Sequence, residues 1–136
     1  MFKYSGYIYT KLIGRSISGQ YTNAAVEAVG LGAFYGCSKL TTVAFPAATS
    51  IDKEAFRSCS KLTALILRSE TMATAGSNVL RSTPIASGTG YIYTPAALCD
   101  SYRAASGWST YANQIRALED YTVDGTTTGA LDASKI

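Results

Sequence analysis

Apolar and polar positions follow one another in the same order in two stretches that lie 22 positions apart in the chain. The first stretch runs from Ala33 to Phe45 and the second from Ala55 to Leu67, and most of their letters are identical. A match at one fixed offset is typical of a repeat architecture, in which each unit buries its apolar side by stacking on its neighbours. The pattern therefore predicts a short solenoid.

Each copy changes its hydrophobic period partway along. Phe34 and Cys37 lie three positions apart, a spacing that places both side chains on one face of a helical turn. Val43 and Phe45 lie two positions apart, which is the period of a strand whose alternate side chains point the same way. Each repeat is therefore predicted to contain a helical turn, a strand and a return, with the alternating apolar strand residues in the core.

The repeated letters resemble a known family. The pattern I-x-x-x-A-F-x-x-C-x-x-L-x-x-V-x-L-P is similar to the BspA-type leucine-rich repeat, which occurs in bacterial surface proteins and in phage-encoded proteins. One repeat fills these positions with Ile51, Ala55, Phe56, Cys59, Leu62, Leu65 and Leu67. The other fills them with Ala33, Phe34, Cys37, Leu40, Val43, Phe45 and Pro46. The resemblance covers about residues 26–95 and implies an α/β repeat, a short leucine-rich-repeat solenoid with a small sheet and short helical turns.

A third repeat within this range is degenerate. The stretch from Val79 to Pro84 aligns with 55–60 and places Thr83 at the Cys position, and 85–90 adds residues before the strand-like 91–93. Residues 1–25 contain a strand-like Gly-Tyr-Ile-Tyr-Thr run and are predicted to form an N-terminal cap or a degenerate repeat.

The pattern becomes helical after the third repeat. Thr94 is a candidate N-cap followed by proline, and apolar residues three and four apart predict a helix that ends near Gly107. Ser109 is then expected to begin a second helix that reaches about Leu118. Residues 96–121 are therefore predicted to form a C-terminal helical cap. Residues 122–136 are predicted to form either a short hairpin around an Asp-Gly turn or a tail.

This C-terminal region carries a second resemblance. The segment from Tyr91-Ile92-Tyr93-Thr94-Pro95 through Trp108 to Tyr121 is similar to the ends of phage and prophage leucine-rich-repeat proteins.

Composition and charge exclude several classes of function. The net charge of +3 comes from 12 basic and 9 acidic residues that are scattered, so we expect no nucleic-acid partner. No run approaches the roughly 20 apolar residues of a membrane span, so we expect no membrane insertion. The first residues lack the pattern of a secretory signal. The chain is therefore expected to stay in its cell, to leave by lysis, or to be part of a larger exported protein.

Candidate chemistry is sparse. The chain has no histidine, which excludes the usual serine and cysteine triads, and we expect no enzyme activity and no cofactor. Three cysteines argue against a disulfide framework, and without histidine or a CxxC spacing we expect no metal site. Cys37 and Cys59 occupy the same position of successive repeats and are predicted to stack as buried small side chains, and Cys99 is expected in the core on a helix.

The outer face of the predicted strands is the candidate interaction face. Aligning 91–93 with 65–67 places Ile92 beside Ile66. The outward positions are then Thr42, Ala44, Ala64, Ile66, Arg68 and Ile92. Either the N-terminal segment or the tail covers this apolar ladder, or the ladder contacts another chain, which includes a second copy of the protein. A register shift of one residue would invert the assignment.

Two functions agree with these features. The first is a non-enzymatic virion component of a phage or prophage, either tail-associated or head-decorating, that binds virion proteins or a host surface protein or glycan. Such a component would be found in the virion or be released by lysis. The second is a recognition module of a bacterial surface adhesin, for which the cell surface is the expected location.

Overall fold

The computed structural model describes residues 18–118 in full, and also the strand backbones at 7–8, 122–123 and 126–127. The strands in chain order are β1 Tyr7–Ile8, β2 Gly19–Thr22, β3 Ala28–Val29, β4 Leu40–Ala44, β5 Ser50–Ile51, β6 Ala64–Ile66, β7 Thr74–Ala75, β8 Tyr91–Thr94, β9 Ile115–Ala117, β10 Thr122–Val123 and β11 Thr126–Thr127. The α-helices are α1 Pro84–Ser87 and α2 Cys99–Ala104, and 3-10 helices span Ala96–Leu98 and Ser109–Gln114.

Two parallel sheets run through the repeats. The front sheet has the order β2-β4-β6-β8-β9, and the back sheet has the order β1-β3-β5-β7. Val29 pairs with Ile51 in the back sheet, as the alignment predicts, and both are buried. Parallel strands and a few short helices fit the expected α/β repeat.

Hydrogen-bonded turns form a third ladder between the two sheets. The Phe34 N–H donates to the Ala55 carbonyl at 2.8 Å, and the Phe56 N–H donates to the Val79 carbonyl at 2.9 Å. Each repeat thus lies directly against the next along the backbone. The second of these bonds also confirms that 79–84 is the third repeat.

The predicted helical turn at Ala-Phe-x-x-Cys is wrong in both clear repeats. These residues form consecutive turns, in which the Cys37 N–H donates to the Phe34 carbonyl at 3.1 Å. The residue before each cysteine, Gly36 or Ser58, has a left-handed backbone with φ of 74° or 64°. A right-handed helix cannot continue through such a residue. Of the three repeats at 26–95, all of which are described, the third alone contains an α-helix, and Thr83 caps this α1 by accepting the Ala86 N–H at 3.2 Å.

Aromatic rings form the centre of the core. Phe34 and Phe56 stack with ring centroids 5.3 Å apart, and Phe45 lies 5.8 Å from Phe34 and 6.3 Å from Phe56. Val43, Phe45, Leu65 and Leu67 all belong to this core, as predicted. Burying each such side chain contributes about 1.5–3 kcal/mol relative to exposure.

The C-terminal region differs from the predicted pair of helices. Thr94 is the last residue of β8, and Pro95 occupies the N-cap position of the 3-10 helix that follows. The predicted N-cap at Thr94 is therefore wrong. The predicted second helix is wrong beyond Gln114, because β9 follows and pairs in parallel with β8. Ile115, placed on a helix face by its spacing, is instead a buried strand residue opposite Ile92.

Strands also occur near both ends of the chain. β1 pairs with β3, in the place of the starting strand expected from the Tyr-Ile-Tyr run. β10 and β11 pair antiparallel, which corresponds to the hairpin alternative for the tail. The rest of the predicted N-terminal cap and tail lies outside the described residues.

Candidate functional site

The outer face of the front sheet contains most of the residues predicted to form an interaction face. Thr42 pairs with Ala64 and Ala44 pairs with Ile66, so the four share one face. Ala44 and Ile66 are 0% exposed, Ala64 is 6% exposed and Thr42 is 8% exposed. These four residues are therefore covered within the chain, in agreement with the alternative in which another segment lies over the ladder, and they are not exposed. Ala44, Ala64 and Ile66 form a small buried cluster, against which Tyr93 and Leu118 pack.

Ile92 does not lie on this face, and its predicted position is wrong. Leu65 pairs with Ile92, and Ile66 pairs with Tyr93, which is one residue away from the alignment used above. Ile92 is fully buried in the core. The extra residues that form α1 shift the start of β8 by one position relative to the alignment. The alternation along Tyr-Ile-Tyr-Thr then points the Ile92 side chain into the core. Arg68, the remaining predicted residue, is half-buried beyond the end of β6.

The register shift brings two tyrosines to the outer face. Tyr91 and Tyr93 are both half-buried, and their ring centroids lie 6.1 Å apart. The guanidinium of Arg116, on the neighbouring strand β9, lies 4.8 Å from the centroid of the Tyr91 ring. We call Tyr91, Tyr93 and Arg116 the aromatic edge. The alternation of the Tyr-Ile-Tyr run was the sequence signal for its two tyrosines.

Arginines cover a carbonyl group in β9. The Ile115 carbonyl accepts from Arg103 Nη2 at 2.8 Å and from Arg116 Nη1 at 3.0 Å. Arg116 Nη1 also donates to the Asn113 carbonyl at 2.9 Å. These bonds hold the Arg116 side chain in place beside Tyr91. They also provide charged partners for a backbone group of the outermost strand of the front sheet.

Three aromatic side chains bind the backbone of the third repeat, and we call them the aromatic clamp. The Ala73 N–H donates to the Tyr102 hydroxyl at 2.7 Å, and Trp108 Nε1 donates to the Ala73 carbonyl at 2.8 Å. The Leu80 N–H donates to the Tyr111 hydroxyl at 3.2 Å. Leu80 corresponds to Phe56 and Phe34, whose N–H groups bind the carbonyl of the next repeat. Tyr111 therefore takes the place of a carbonyl from a further repeat.

Burial changes the ionisation of the clamp tyrosines. Burial raises the pKa of both Tyr102 and Tyr111, while the hydrogen bonds from the Ala73 and Leu80 N–H groups act in the opposite direction. Both phenols are therefore neutral at physiological pH. Each hydroxyl can then accept from the backbone without a buried charge.

The clamp and the third repeat enclose a polar cleft of about 270 Å³. Its walls include Ser77, Asn78, Ser106, Thr110 and one side of Tyr111. A second cleft of about 330 Å³ lies along the back sheet, with Ser50, Asp52 and Thr74 in its walls. Ala75 belongs to both, so the two clefts adjoin.

The cysteines have the structural role that the sequence predicts. Cys37, Cys59 and Cys99 are buried and are not in disulfide bonds. The Cys59 thiol donates to the Phe34 carbonyl at 3.0 Å. A hydrogen bond between the thiols of Cys37 and Cys59 raises the pKa of the Cys59 thiol, and burial raises it further. A thiol held neutral in this way is a poor nucleophile and a poor metal ligand.

Neither a metal-binding cluster nor a membrane-spanning helix occurs among the described residues. Within the described residues, no group of three or more Cys, Asp or Glu side chains is arranged to hold a metal ion. The helices of the described part of the chain are all too short or too polar to cross a bilayer.

Comparison with known proteins identifies the repeats. Residues 15–90 match the family model described as "BspA type Leucine rich repeat region (6 copies)". No curated protein matches the chain significantly. Since the family match spans more than half of the chain, the protein belongs to the BspA-type leucine-rich repeat family.

Proposed function

We propose that this protein is a non-enzymatic attachment component of a phage or prophage virion, associated with the tail or decorating the head. Leucine-rich repeat domains are in general non-enzymatic domains that bind proteins, and the family match supports that broad role. The virion assignment rests on the resemblance of the segment from Tyr91 through Trp108 to the ends of phage leucine-rich-repeat proteins. Its partners would be virion proteins, a second copy of the chain, or a host surface molecule.

The aromatic edge is the observation that carries the proposed attachment. Tyrosine and arginine are enriched at the energetic centres of protein interfaces. Tyr91, Tyr93 and Arg116 are half-buried, so each residue keeps an exposed part that a partner can contact. Arg116 is held by backbone carbonyls of Asn113 and Ile115, so little side-chain entropy remains to be lost on binding.

A recognition module of a bacterial surface adhesin is the second candidate. The matched repeats at 15–90 fit an adhesin as well as a virion protein, because the resemblance includes bacterial surface proteins. The adhesin would use the same aromatic edge on a host protein. Its location would be the cell surface rather than the virion.

Fractionation of a strain that carries the gene distinguishes the two. Prophages are induced, particles are purified on a density gradient, and the chain is quantified by mass spectrometry in particles and in cell envelopes. Constant stoichiometry with the major virion proteins supports the first function. Recovery in the envelope with absence from particles supports the adhesin, and recovery in neither fraction contradicts both.

Variants then test the surface. Tyr91→Ala combined with Arg116→Ala is expected to weaken retention on particles or on host cells by about 10-fold or more. The matched control is Tyr35→Ala combined with Arg57→Ala, since these residues also place a guanidinium over a ring, at 5.8 Å, but lie in the turn ladder. Equal loss in both pairs would show that the aromatic edge is not the attachment surface.

A further inference from the structure

We propose that the polar cleft between the third repeat and the aromatic clamp binds a neutral sugar. This site is separate from the aromatic edge, because Ala75 in its wall belongs to the back sheet and Tyr91 belongs to the front sheet. The proposal therefore does not rest on the attachment function.

The chemistry of the walls indicates the class of ligand. Ser77, Asn78, Ser106 and Thr110 supply hydroxyl and amide groups that both donate and accept hydrogen bonds. Among the described residues, those that line this cleft have no charged side chain. A ligand with many neutral hydroxyls would therefore be matched, whereas a charged ligand would be desolvated without an opposite charge.

Tyr111 adds an apolar surface to this polar lining. Its hydroxyl accepts the Leu80 N–H and the residue is only 7% exposed, so Tyr111 contributes a small area to the lining. A pyranose presents hydroxyls at its rim, and the hydroxyl and amide groups of the cleft can bind them. The polar side chains therefore carry the match to a sugar, and Tyr111 adds only a minor contact.

Close backbone packing makes the cleft rigid and keeps it open. A Cβ at Gly107 would come within 3.0 Å of the Ala75 carbonyl oxygen, so the chain at 107 lies directly on β7. Trp108 and Tyr102 bind the backbone of Ala73, just before the same strand. The walls are therefore preorganised, which lowers the entropy that binding costs.

The second cleft, along the back sheet, extends the site beyond Ala75. Ser50, Asp52 and Thr74 continue the polar lining away from Ala75. Together the two clefts have room for more than one sugar unit, since pockets for small ligands measure about 300–1,000 Å³. A disaccharide is therefore expected to bind more tightly than either of its units.

The test is a titration of the isotope-labelled protein followed by amide chemical shifts. The probes are glucose, galactose, N-acetylglucosamine and cellobiose, with glucuronate and glucosamine as charged comparisons and a Ser/Thr-rich peptide as a different ligand class. We expect at least one neutral sugar to shift amides at 75–78 and 106–110. Glucuronate and glucosamine are expected to bind more weakly than the neutral sugars.

Two variants remove side chains from the walls without disturbing the backbone. Asn78→Gly deletes the amide at a residue with φ of 57°, and Thr110→Val deletes one hydroxyl. Each is expected to weaken sugar binding by about threefold to tenfold, the value of one hydrogen bond. Ser82→Gly is the matched control, because it has φ of 63° and is exposed outside the cleft walls.

Several results would overturn the proposal. They are the absence of shifts with every neutral sugar, shifts confined to the front sheet, or unchanged binding in both Asn78→Gly and Thr110→Val. Tighter binding of a charged sugar, or shifts at these amides with the peptide alone, would also contradict it. Correct folding of each variant is verified from the unchanged amides of the core.

Discussion

The hydroxyl of Tyr111 is predicted to stabilise the end of the turn ladder, and Tyr111→Phe tests this directly. The substitution deletes one oxygen atom and keeps the ring, which is only 7% exposed. The Leu80 N–H, which donates to that oxygen at 3.2 Å, would lose its partner. Leu80 is 0% exposed, so its donor would remain buried without a hydrogen bond.

The magnitude follows from the cost of a buried unpaired donor. Such a group costs about 1–3 kcal/mol, more than the net contribution of about 0.5–1.5 kcal/mol from an ordinary hydrogen bond. Unfolding entropy of about 2.1 cal/mol/K per residue implies that each kcal/mol lowers the melting temperature of a chain of 136 residues by about 3.5 °C. Tyr111→Phe should therefore lower it by about 4–10 °C.

The assay is urea unfolding followed by circular dichroism, with thermal melting as a second measurement. The urea midpoint should fall while the denaturant slope stays constant, because the same surface is exposed on unfolding. Tyr91→Phe is the matched control, since it deletes a hydroxyl from a half-buried ring on the outer face, and its effect should stay within about 0.5 kcal/mol. A loss below about 0.5 kcal/mol in Tyr111→Phe would refute the ladder argument.

Three further predictions concern thiols, pH and backbone contact. In the native protein, Cys37 and Cys59 should resist a thiol reagent at neutral pH, because both are buried and the pKa of Cys59 is raised. Both should react once the chain is denatured, and fast labelling of either in the native protein would contradict the assignment. Stability should decline as pH rises above about 9–10, because the thiol of Cys59 and the phenols of Tyr102 and Tyr111 have lower pKa values in the unfolded chain and ionise there first. A free energy of unfolding that stays constant in urea titrations up to pH ~11 would exclude this. Gly107→Ala should destabilise the protein by about 1–3 kcal/mol more than Gly88→Ala. Both glycines have positive φ, but of the two only a Cβ at 107 would meet the Ala75 backbone. Equal losses of stability in urea unfolding would contradict the close contact.

The sequence was most informative where spacing alone determines structure. The fixed offset predicted that each repeat stacks on the next, and Phe34 and Phe56, which occupy equivalent positions, do so. The two-residue period of Leu65 and Leu67 predicted their burial. Both results follow from the repeat spacing. For the same reason the equivalent positions of Cys37 and Cys59 predicted buried thiols.

The prediction was wrong where an insertion or a tertiary contact decides the outcome. The extra residues around α1 moved Ile92 by one position in the register, and one position reverses the side of the sheet. Ile115 has a spacing that suits a helix face, but pairing with Ile92 gives it a strand conformation. The local pattern of residues 109–118 carries no information about the strand with which they pair, so β9 could not be predicted from these residues alone.

The aromatic clamp was missed for a related reason. Trp108 and Tyr111 lie within the predicted helical cap at 96–121, but what they do in the fold depends on single polar atoms that bind the backbone of Ala73 and Leu80. Those partners lie 35 and 31 residues away in the chain. The sequence signal was the concentration of Tyr and Trp after the last repeat, since buried Tyr and Trp require partners for their hydroxyl and N–H groups.

The arginines on the Ile115 carbonyl have a consequence for the length of such proteins. The number of strands in a parallel sheet has no intrinsic limit, because each strand presents the same backbone donors and acceptors to the next. At β9, the last strand of the front sheet in the described part of the chain, Arg103 and Arg116 occupy the Ile115 carbonyl with side-chain donors rather than with another rung. A whole repeat duplicated between Phe45 and Leu67 would leave this terminus unchanged. Evolution can therefore lengthen or shorten the protein by one unit at a time while a single, inherited stop is retained.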